Sequence, residues 1–473
     1  MAKKAVEATD YSNVDASPVK SFFVRMLTRD ISLTDSILDL LDNCVDGVLR
    51  KKKRLQGEHP YKGFHADIKF DEDTFEISDN CGGIPWDLHD YAFRMGRPHG
   101  RQDKRKGAVG TYGIGMKRAI FKIGQQCLIS TQSGEHAYEV ELSKAWINDE
   151  SEWHIPARSA KHSMAEDGTT IVIGELHPNI SRHFGHDYMS FTKDLIKKIE
   201  SHYAIIIAKG FQVKVNGKEM KAKPTSLVFV EDGKKNLIRP YIFTSKEQGV
   251  EIFLAVGFAR PIPSQDDVLT EQDNPSSKYS SMDAGWTVVC NDRVVLYCDK
   301  TILTGWGEAG VPQYHPQFIA ISGLVEFRSD DASKLPTTTT KRGIEAQSTL
   351  YLEVKNRMRE GMKLFTDYTN KWKRNAAESK EHLAKGKPLS FSELKERTRN
   401  LTMTVAKRGI QGQLYKPTLP TPPVKSSQSG QITFVRKLHE IRAVSDHLFG
   451  SDDVAPNRVG EECFGKVLKE TKT

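Results

Sequence analysis

Within the stretch SILDLLDNCVDGVL, residues 36–49, the side chains of Asp39, Asp42, Asn43 and Asp46 crowd into one short run. Carboxylates and a carboxamide this close can face a divalent cation or orient a water molecule for attack. On a helix turning about 100° per residue, Leu40, Leu41, Cys44, Val45 and Val48 lie within roughly 80° of Ile37, and Asp42, Asp46, Asp39 and Asn43 lie at roughly 140°, 180°, 200° and 240°. The helix therefore has one apolar face and one compact acidic face. Like charges at i, i+3 and i+7 repel one another by a few tenths of a kcal/mol per pair, and a cation in front of them would reverse that sign. A merely solvated acidic face is the other reading, and the helix alone does not choose.

Two further stretches carry chemistry of the same kind. In ISDNCGGIPWD, residues 77–87, a strand delivers Asp79 and Gly82-Gly83 then permits a tight turn with positive φ. An acid placed there can accept from the donor edge of a flat ligand such as an adenine amino group, although Asn, Asp and Gly also build ordinary turns. In GAVGTYGIGMKRAIFKIG, residues 107–124, the glycines Gly107, Gly110, Gly113 and Gly115 precede an apolar helix with Lys117 at its start. Backbone N–H groups of such a loop converge on phosphate at a positively polarised helix end; a plain glycine hinge is the alternative. It is not a Walker A loop, because Arg118 follows Lys117 and the glycine spacing differs.

The elements that must position these groups belong to a chain of 473 residues with 38% apolar composition, enough for about three domains with ordinary cores. No long apolar run and no signal-peptide core occurs, so the sequence reads as cytoplasmic, with no membrane partner. The six cysteines are scattered without metal-like spacing and read as reduced thiols. The net charge of +8 is uneven: residues 351–473 hold 24 Lys+Arg against 14 Asp+Glu, while the rest is close to balance. Residues 1–20 read as a flexible arm and 21–180 as a first α/β domain. Its strand candidates at 66–70, 74–78, 127–133, 137–143 and 169–176 include a run without intervening helices, which argues for a mixed or antiparallel sheet with helices on one face. A second α/β domain spans 181–345, with a helix near 187–207, a hairpin signal at Asn216-Gly217 and a strand pair around WTVVCNDRVVLYC. Residues 346–414 read as long basic helices, 415–430 as a Pro/Ser linker and 431–473 as a helical tail.

In order and spacing, Asp39-x-x-x-Asn43 on a helix, Asp79-x-Cys81-x-Gly83 after a strand and Gly110-x-x-Gly113-x-Gly115 before a helix resemble the N, G1 and G2 boxes of the GHKL superfamily. That superfamily comprises DNA gyrase, the ninety-kilodalton heat-shock chaperones, histidine kinases and MutL, which share the Bergerat ATP-binding fold. DGTTIVI, residues 167–173, resembles the Gly-Thr entry of its last box. The resemblance covers the motifs between residues 22 and 177 and implies a Bergerat sandwich of a mixed sheet and helices, with ATP and Mg2+ as cofactors. Residue by residue it implies Asp39 as the general base that polarises water, where most members have Glu, and Asn43 as the Mg2+ ligand. Asp79 takes the adenine-reading position and Gly83 the base-contacting turn, and Ile84 and Met95 are further cofactor-binding positions. Gly110, Gly113, Ile114, Gly115 and Lys117 form the phosphate loop, and Thr169 lies near the phosphates. The segment Arg97 to Lys106 corresponds to a lid.

Two departures matter. The Asp39 carboxylate is shorter than that of Glu by one methylene, and misplacement by about 1 Å can cost about a hundredfold in rate, so slow turnover is expected. Cys81 replaces a glycine, which requires an ordinary L-residue conformation there, with Gly82 taking the positive φ. Among superfamily branches, an ATP module followed by a second α/β domain resembles the gyrase, MutL and MORC-type arrangement with its S5-like transducer domain, and YGIGMK looks most like the MORC-like group. FRSDDASKLPTTTTKRGIEAQ resembles the transducer loop that sends a lysine to the γ-phosphate, with Lys341 the first candidate and Lys334 the second. This resemblance implies an ATPase that forms a homodimer on ATP binding and acts on DNA or another nucleic acid. The alternatives are a chaperone-like or signalling ATPase with protein partners, and a slow ATP sensor, for example in phage defence.

Overall fold

The computed structural model describes residues 19–52, 55, 57–94, 114–161, 163–223, 226–231, 237–263, 284–338, 343–373, 375–422, 432 and 435–471. Two compact units emerge, residues 1–422 and 423–473.

The first unit begins with α1 (Lys20–Arg29) and α2 (Leu33–Lys51), followed by the antiparallel pair β1 (His65–Phe70) and β2 (Phe75–Asp79). Then come α3 (His89–Phe93), α4 (Gly115–Ile123), β3 (Gly124–Ser133), β4 (His136–Leu142), α5 (Lys144–Asn148), β5 (Ala157–Ser159) and β6 (Gly168–Leu176). Three helices, α6 (Pro178–Phe184), α7 (Tyr188–His202) and α8 (Ala204–Ala208), return the chain to β7 (Gln212–Val215) and β8 (Lys218–Glu219). The eight strands form one sheet in the order β5-β4-β3-β6-β2-β1-β7-β8, antiparallel except where β1 meets β7. This is the mixed sheet that the strand pattern predicts, but the first core extends farther than residue 180. Leu195, Ile199, Tyr203, Val213 and Met220 all belong to it, because the parallel β1–β7 pairing recruits a strand distant in sequence. Of the stretch 1–20 expected to be a flexible arm, residues 1–18 lie outside the described residues, and Lys20 is buried at the start of α1, its ammonium donating to the carbonyls of Trp146 (2.7 Å), Asp149 (2.5 Å) and Glu152.

Helix α2 is the keystone of this layer. Ser32 caps it by accepting from the Asp35 N–H at 3.1 Å. Its apolar stripe, Ile37, Leu38, Leu40, Leu41, Val45 and Val48, is almost wholly buried, each side chain contributing roughly 1.5–3 kcal/mol.

The second layer holds β9 (Ser226–Phe229), β10 (Tyr241–Glu247), β11 (Val250–Phe258), β12 (Gly285–Cys290), β13 (Arg293–Asp299) and β14 (Ile321–Arg328). It continues through α9 (Thr349–Trp372), α10 (Ala376–Ala384), β15 (Lys387–Ser390), α11 (Phe391–Thr398), β16 (Thr404–Val405) and β17 (Gln413–Tyr415). A seven-stranded sheet runs β13-β12-β14-β11-β10-β17-β16, and β9 pairs separately with β15. The stretch expected to form independent basic helices is built into this layer. Tyr351, Val354, Met358, Met362, Phe365 and Trp372 of α9 sit in the same core as β10, β11 and β14, and β17 extends the sheet through β10. Lysines and arginines on the outer side mask an apolar stripe at helical spacing.

The second unit consists of α12 (Leu438–Phe449), closed by Gly450 at φ 68°, and α13 (Pro456–Glu470). Among the described residues no helix is long and apolar enough to cross a membrane.

Candidate active site

The acidic face of α2 is buried, not solvated: Asp39, Asp42 and Asp46 are 5%, 2% and 6% exposed. A carboxylate survives burial only with partners, and the structure supplies them from distant segments. Arg118 of α4 donates to Asp39 Oδ2 from Nε at 2.7 Å and from Nη2 at 2.5 Å. The first residue of α4, Gly115, lies so close that a Cβ there would sit 3.4 Å from the same oxygen. Among the described residues no side chain caps α4, and N–H groups at a helix start can donate to an anion. The general-base candidate, its guanidinium partner and an anion-accepting helix end thus meet at one point.

One turn along α2 from Asp39, the Asn43 amide is half-buried, and its Nδ2 has no hydrogen-bond partner among the described residues. Such a donor is completed by an acceptor atom, whereas the atom of this side chain that could ligate a cation is its Oδ1. Among the described residues no cluster of three or more His, Cys, Asp and Glu side chains gathers for a metal. A lone amide oxygen suits Mg2+, which keeps most of its shell in phosphate oxygens and water.

Asp79 closes β2. Its Oδ1 accepts from the Cys81 N–H at 2.7 Å. Burial raises the Asp79 pKa above the ordinary carboxylate value, and the Cys81 N–H, the Cys44 thiol and Arg50 offset this in part. Gly82 and Gly83 take φ of 102° and 65°, while Cys81 keeps a negative φ, as its side chain requires. Gly83 is irreplaceable on a second count, since a Cβ would stand 1.9 Å from the Gln132 carbonyl. The turn is fixed by Arg50 of α2, which donates to the Gly83 carbonyl at 2.9 Å, and by Thr131, which accepts from the Ile84 N–H at 2.8 Å.

Thr169, expected near the phosphates, stands opposite Asp79 in the β2–β6 register, and its hydroxyl pairs with that of Thr131 at 3.0 Å. Lys117 is 2% exposed and donates to the Ala92 carbonyl at 2.6 Å; burial lowers its pKa to about 8. Ile114 immediately precedes α4. Met95, the segment Arg97 to Lys106, Gly107, Gly110, Gly113 and Lys341 lie outside the described residues. Lys334 is exposed, with Nζ against Gly249 in the turn between β10 and β11. That turn and the tip of the β12–β13 hairpin are tied by Ser329, which donates to Asn291 Oδ1 (3.0 Å) and the Gly249 carbonyl (3.1 Å). Thr337 and Ile344, flanking Lys341, pair as an antiparallel bridge.

Sequence reasoning misses Arg118 and Thr131 as members of the site. Arg118 had a signal, for it lies three residues after Gly115 and so on the same face of α4. Thr131 had none beyond its place on a strand.

The helix-borne acid beside a glycine-started helix and the buried acid at a strand end both lie in the segment that a known ATPase family matches. Residues 31–169 match the family model described as Histidine kinase-, DNA gyrase B-, and HSP90-like ATPase, and this part of the chain is a GHKL-type ATPase domain. No curated protein matches the chain.

Proposed function

We propose that the chain is an ATP-driven switch that hydrolyses ATP in the cleft between α2 and α4, dimerises through its N-terminal domain when ATP is bound, and binds or clamps DNA. The observation that carries the hydrolytic part is the Asp39 carboxylate held by Arg118 beside the first turn of α4. Asp79 accepts a hydrogen bond from the base, and Thr169 and Thr131 complete that wall. The N–H groups that open α4 take the phosphates. Asn43 would hold Mg2+, which when bound neutralises charge across the phosphate oxygens. Asp39 orients the attacking water and accepts its proton as the oxygen bonds to the γ-phosphorus and the β,γ-bridging bond breaks. Lys341, or failing it Lys334, reports the γ-phosphate to the second domain, and loss of that contact on hydrolysis resets the switch.

The DNA part is supported by the basic excess of residues 351–473 and by the resemblance to the MORC-like group. ATPase activity measured with and without duplex DNA, beside sizing with a non-hydrolysable ATP analogue, tests the whole reading. DNA-stimulated turnover and an analogue-dependent dimer are expected. Affinity for duplex that does not weaken with salt would remove the DNA assignment. A slow ATP sensor is the second reading, favoured by the two hydrogen bonds that Arg118 already makes to one oxygen of the presumed base. Tight binding with single-turnover hydrolysis slower than nucleotide release would select it.

A further inference from the structure

The hairpin between β12 and β13 turns at Asn291 and Asp292, with φ of 48° and 67°, the left-handed pair that suits a two-residue hairpin loop. This turn carries two charges out of the second layer into the first. Asp292, 1% exposed, accepts from Tyr61 at 3.1 Å, from Lys209 at 2.6 Å and from Arg328 at 2.5 Å. Arg293, also 1% exposed, brings Nε to 3.2 Å from Asp42 Oδ1, with its guanidinium 3.9 Å from the centre of the Tyr203 ring. The Tyr203 hydroxyl donates to the same Asp42 oxygen at 2.6 Å and to the Leu38 carbonyl at 2.8 Å.

Asp42 lies on α2 between Asp39 and Asn43, so the hairpin grips the helix that bears the proposed base and the proposed Mg2+ ligand. Stability does not demand charges there, because an apolar pair of similar volume serves as well or better, whereas removing one partner alone costs about 3–5 kcal/mol. What a buried pair adds is registry between the two elements that hold it. The three guanidinium nitrogens of Arg293 form no hydrogen bond with the described residues. The side chain is held by its charge against Asp42 and by the Tyr203 ring, contacts that do not demand one fixed hydrogen-bond geometry.

We infer that Arg293 is a positioning residue for the nucleotide site, and that the Asp42–Arg293 pair makes α2 and the β12–β13 hairpin move together when nucleotide binds. The inference rests on the nucleotide site proposed above. By linkage, whatever the second layer binds alters nucleotide affinity by the factor with which nucleotide alters its own.

The test uses the full chain and three proteins: wild type, the paired variant Asp42→Leu with Arg293→Met, and the conservative Arg293→Lys. Hydrogen exchange of the peptide spanning 285–299 is followed with and without Mg2+ and a non-hydrolysable ATP analogue, beside analogue affinity, kcat and KM. The wild-type peptide is expected to change its protection on binding. The paired variant, which removes both charges and so keeps its fold, should bind the analogue within about threefold of wild type, lose the change in protection, and lose about tenfold in kcat at unchanged KM. Arg293→Lys should restore part of both. A change in protection that persists in the paired variant, or a wild-type hairpin that does not respond although the analogue binds, overturns the inference and leaves the ATPase reading standing. A wild-type chain that does not bind the analogue overturns both.

Discussion

Asp39→Asn removes the charge of the proposed base while keeping its shape, and the structure lets the consequences be separated. Asp39 and Arg118 are 5% and 16% exposed in their side chains, and the guanidinium makes two hydrogen bonds to one carboxylate oxygen. Charged hydrogen bonds of this kind contribute about 1.5–3 kcal/mol. An asparagine oxygen can still accept from Arg118, so the variant should lose about 1–2 kcal/mol of stability. Removal of a general base costs about 100- to 10,000-fold in rate. Since aspartate reaches less far than glutamate, the lower part of that range is expected, about 100- to 1,000-fold, or about 3–4 kcal/mol of barrier. KM should stay within about threefold, because the lost interaction belongs to the transition state. Phosphate release gives kcat and KM, calorimetry with ADP gives affinity on the same preparation, and urea midpoints give stability. A double-mutant cycle with Arg118→Met should return a coupling of about 1.5–3 kcal/mol. Turnover within threefold of wild type refutes the base assignment, and a fall in affinity equal to the fall in rate makes Asp39 a binding group instead.

Asp79→Asn should weaken nucleotide binding by about 10- to 100-fold through loss of a charged acceptor. Because burial raises the Asp79 pKa in the folded protein, its contribution to stability is present at acid pH and is lost as pH rises through the folded value. Asparagine removes that loss, so by urea titration the variant should gain stability relative to wild type as pH rises through the Asp79 titration. Lys117, with a pKa lowered to about 8 by burial, should lose its proton and its charged hold on Ala92 as pH rises past 8. Nucleotide affinity should fall there in wild type and stay flat in Lys117→Met, while the group's effect on stability runs the other way, the unfolded chain binding more protons above pH 8. Gly83→Ala and Gly134→Ala separate strain from collision: φ is 65° and 59°, but only at Gly83 would the new Cβ meet backbone, 1.9 Å from the Gln132 carbonyl. Circular-dichroism melts should show a loss of about 1–2 kcal/mol at Gly134 and a much larger one at Gly83.

Local features of the site are legible in the sequence because local physics sets them. The stretch from Ile37 to Val48 is helical by periodicity, Gly82 and Gly83 turn because a non-glycine at Cys81 cannot, and Gly115 starts a helix. The environment of the acidic face is not legible. Periodicity says that Asp39 and Asp42 point away from the apolar stripe, but their partners, Arg118 and Arg293, come from other elements. Burial therefore becomes visible only with tertiary pairing. The same holds for the extent of the layers: β7 joins the first sheet through a parallel pairing with β1 that no adjacent residues announce. Basic composition conceals the role of α9, because a helix with Lys363 and Lys371 outside can still bury Met358, Met362 and Phe365.

Helix α4 ends at Ile123 and β3 begins at Gly124, with no residue between them. Strand β3 is gripped on both sides, by β4 and by β6, along most of its length. The first turns of α4 are held as well: Lys117 donates to the Ala92 carbonyl at 2.6 Å and Arg118 to Asp39 Oδ2 at 2.7 and 2.5 Å. A shift of α4 along its axis is therefore passed to α2 through the Asp39 carboxylate and to the sheet through β3, so the helix links the two.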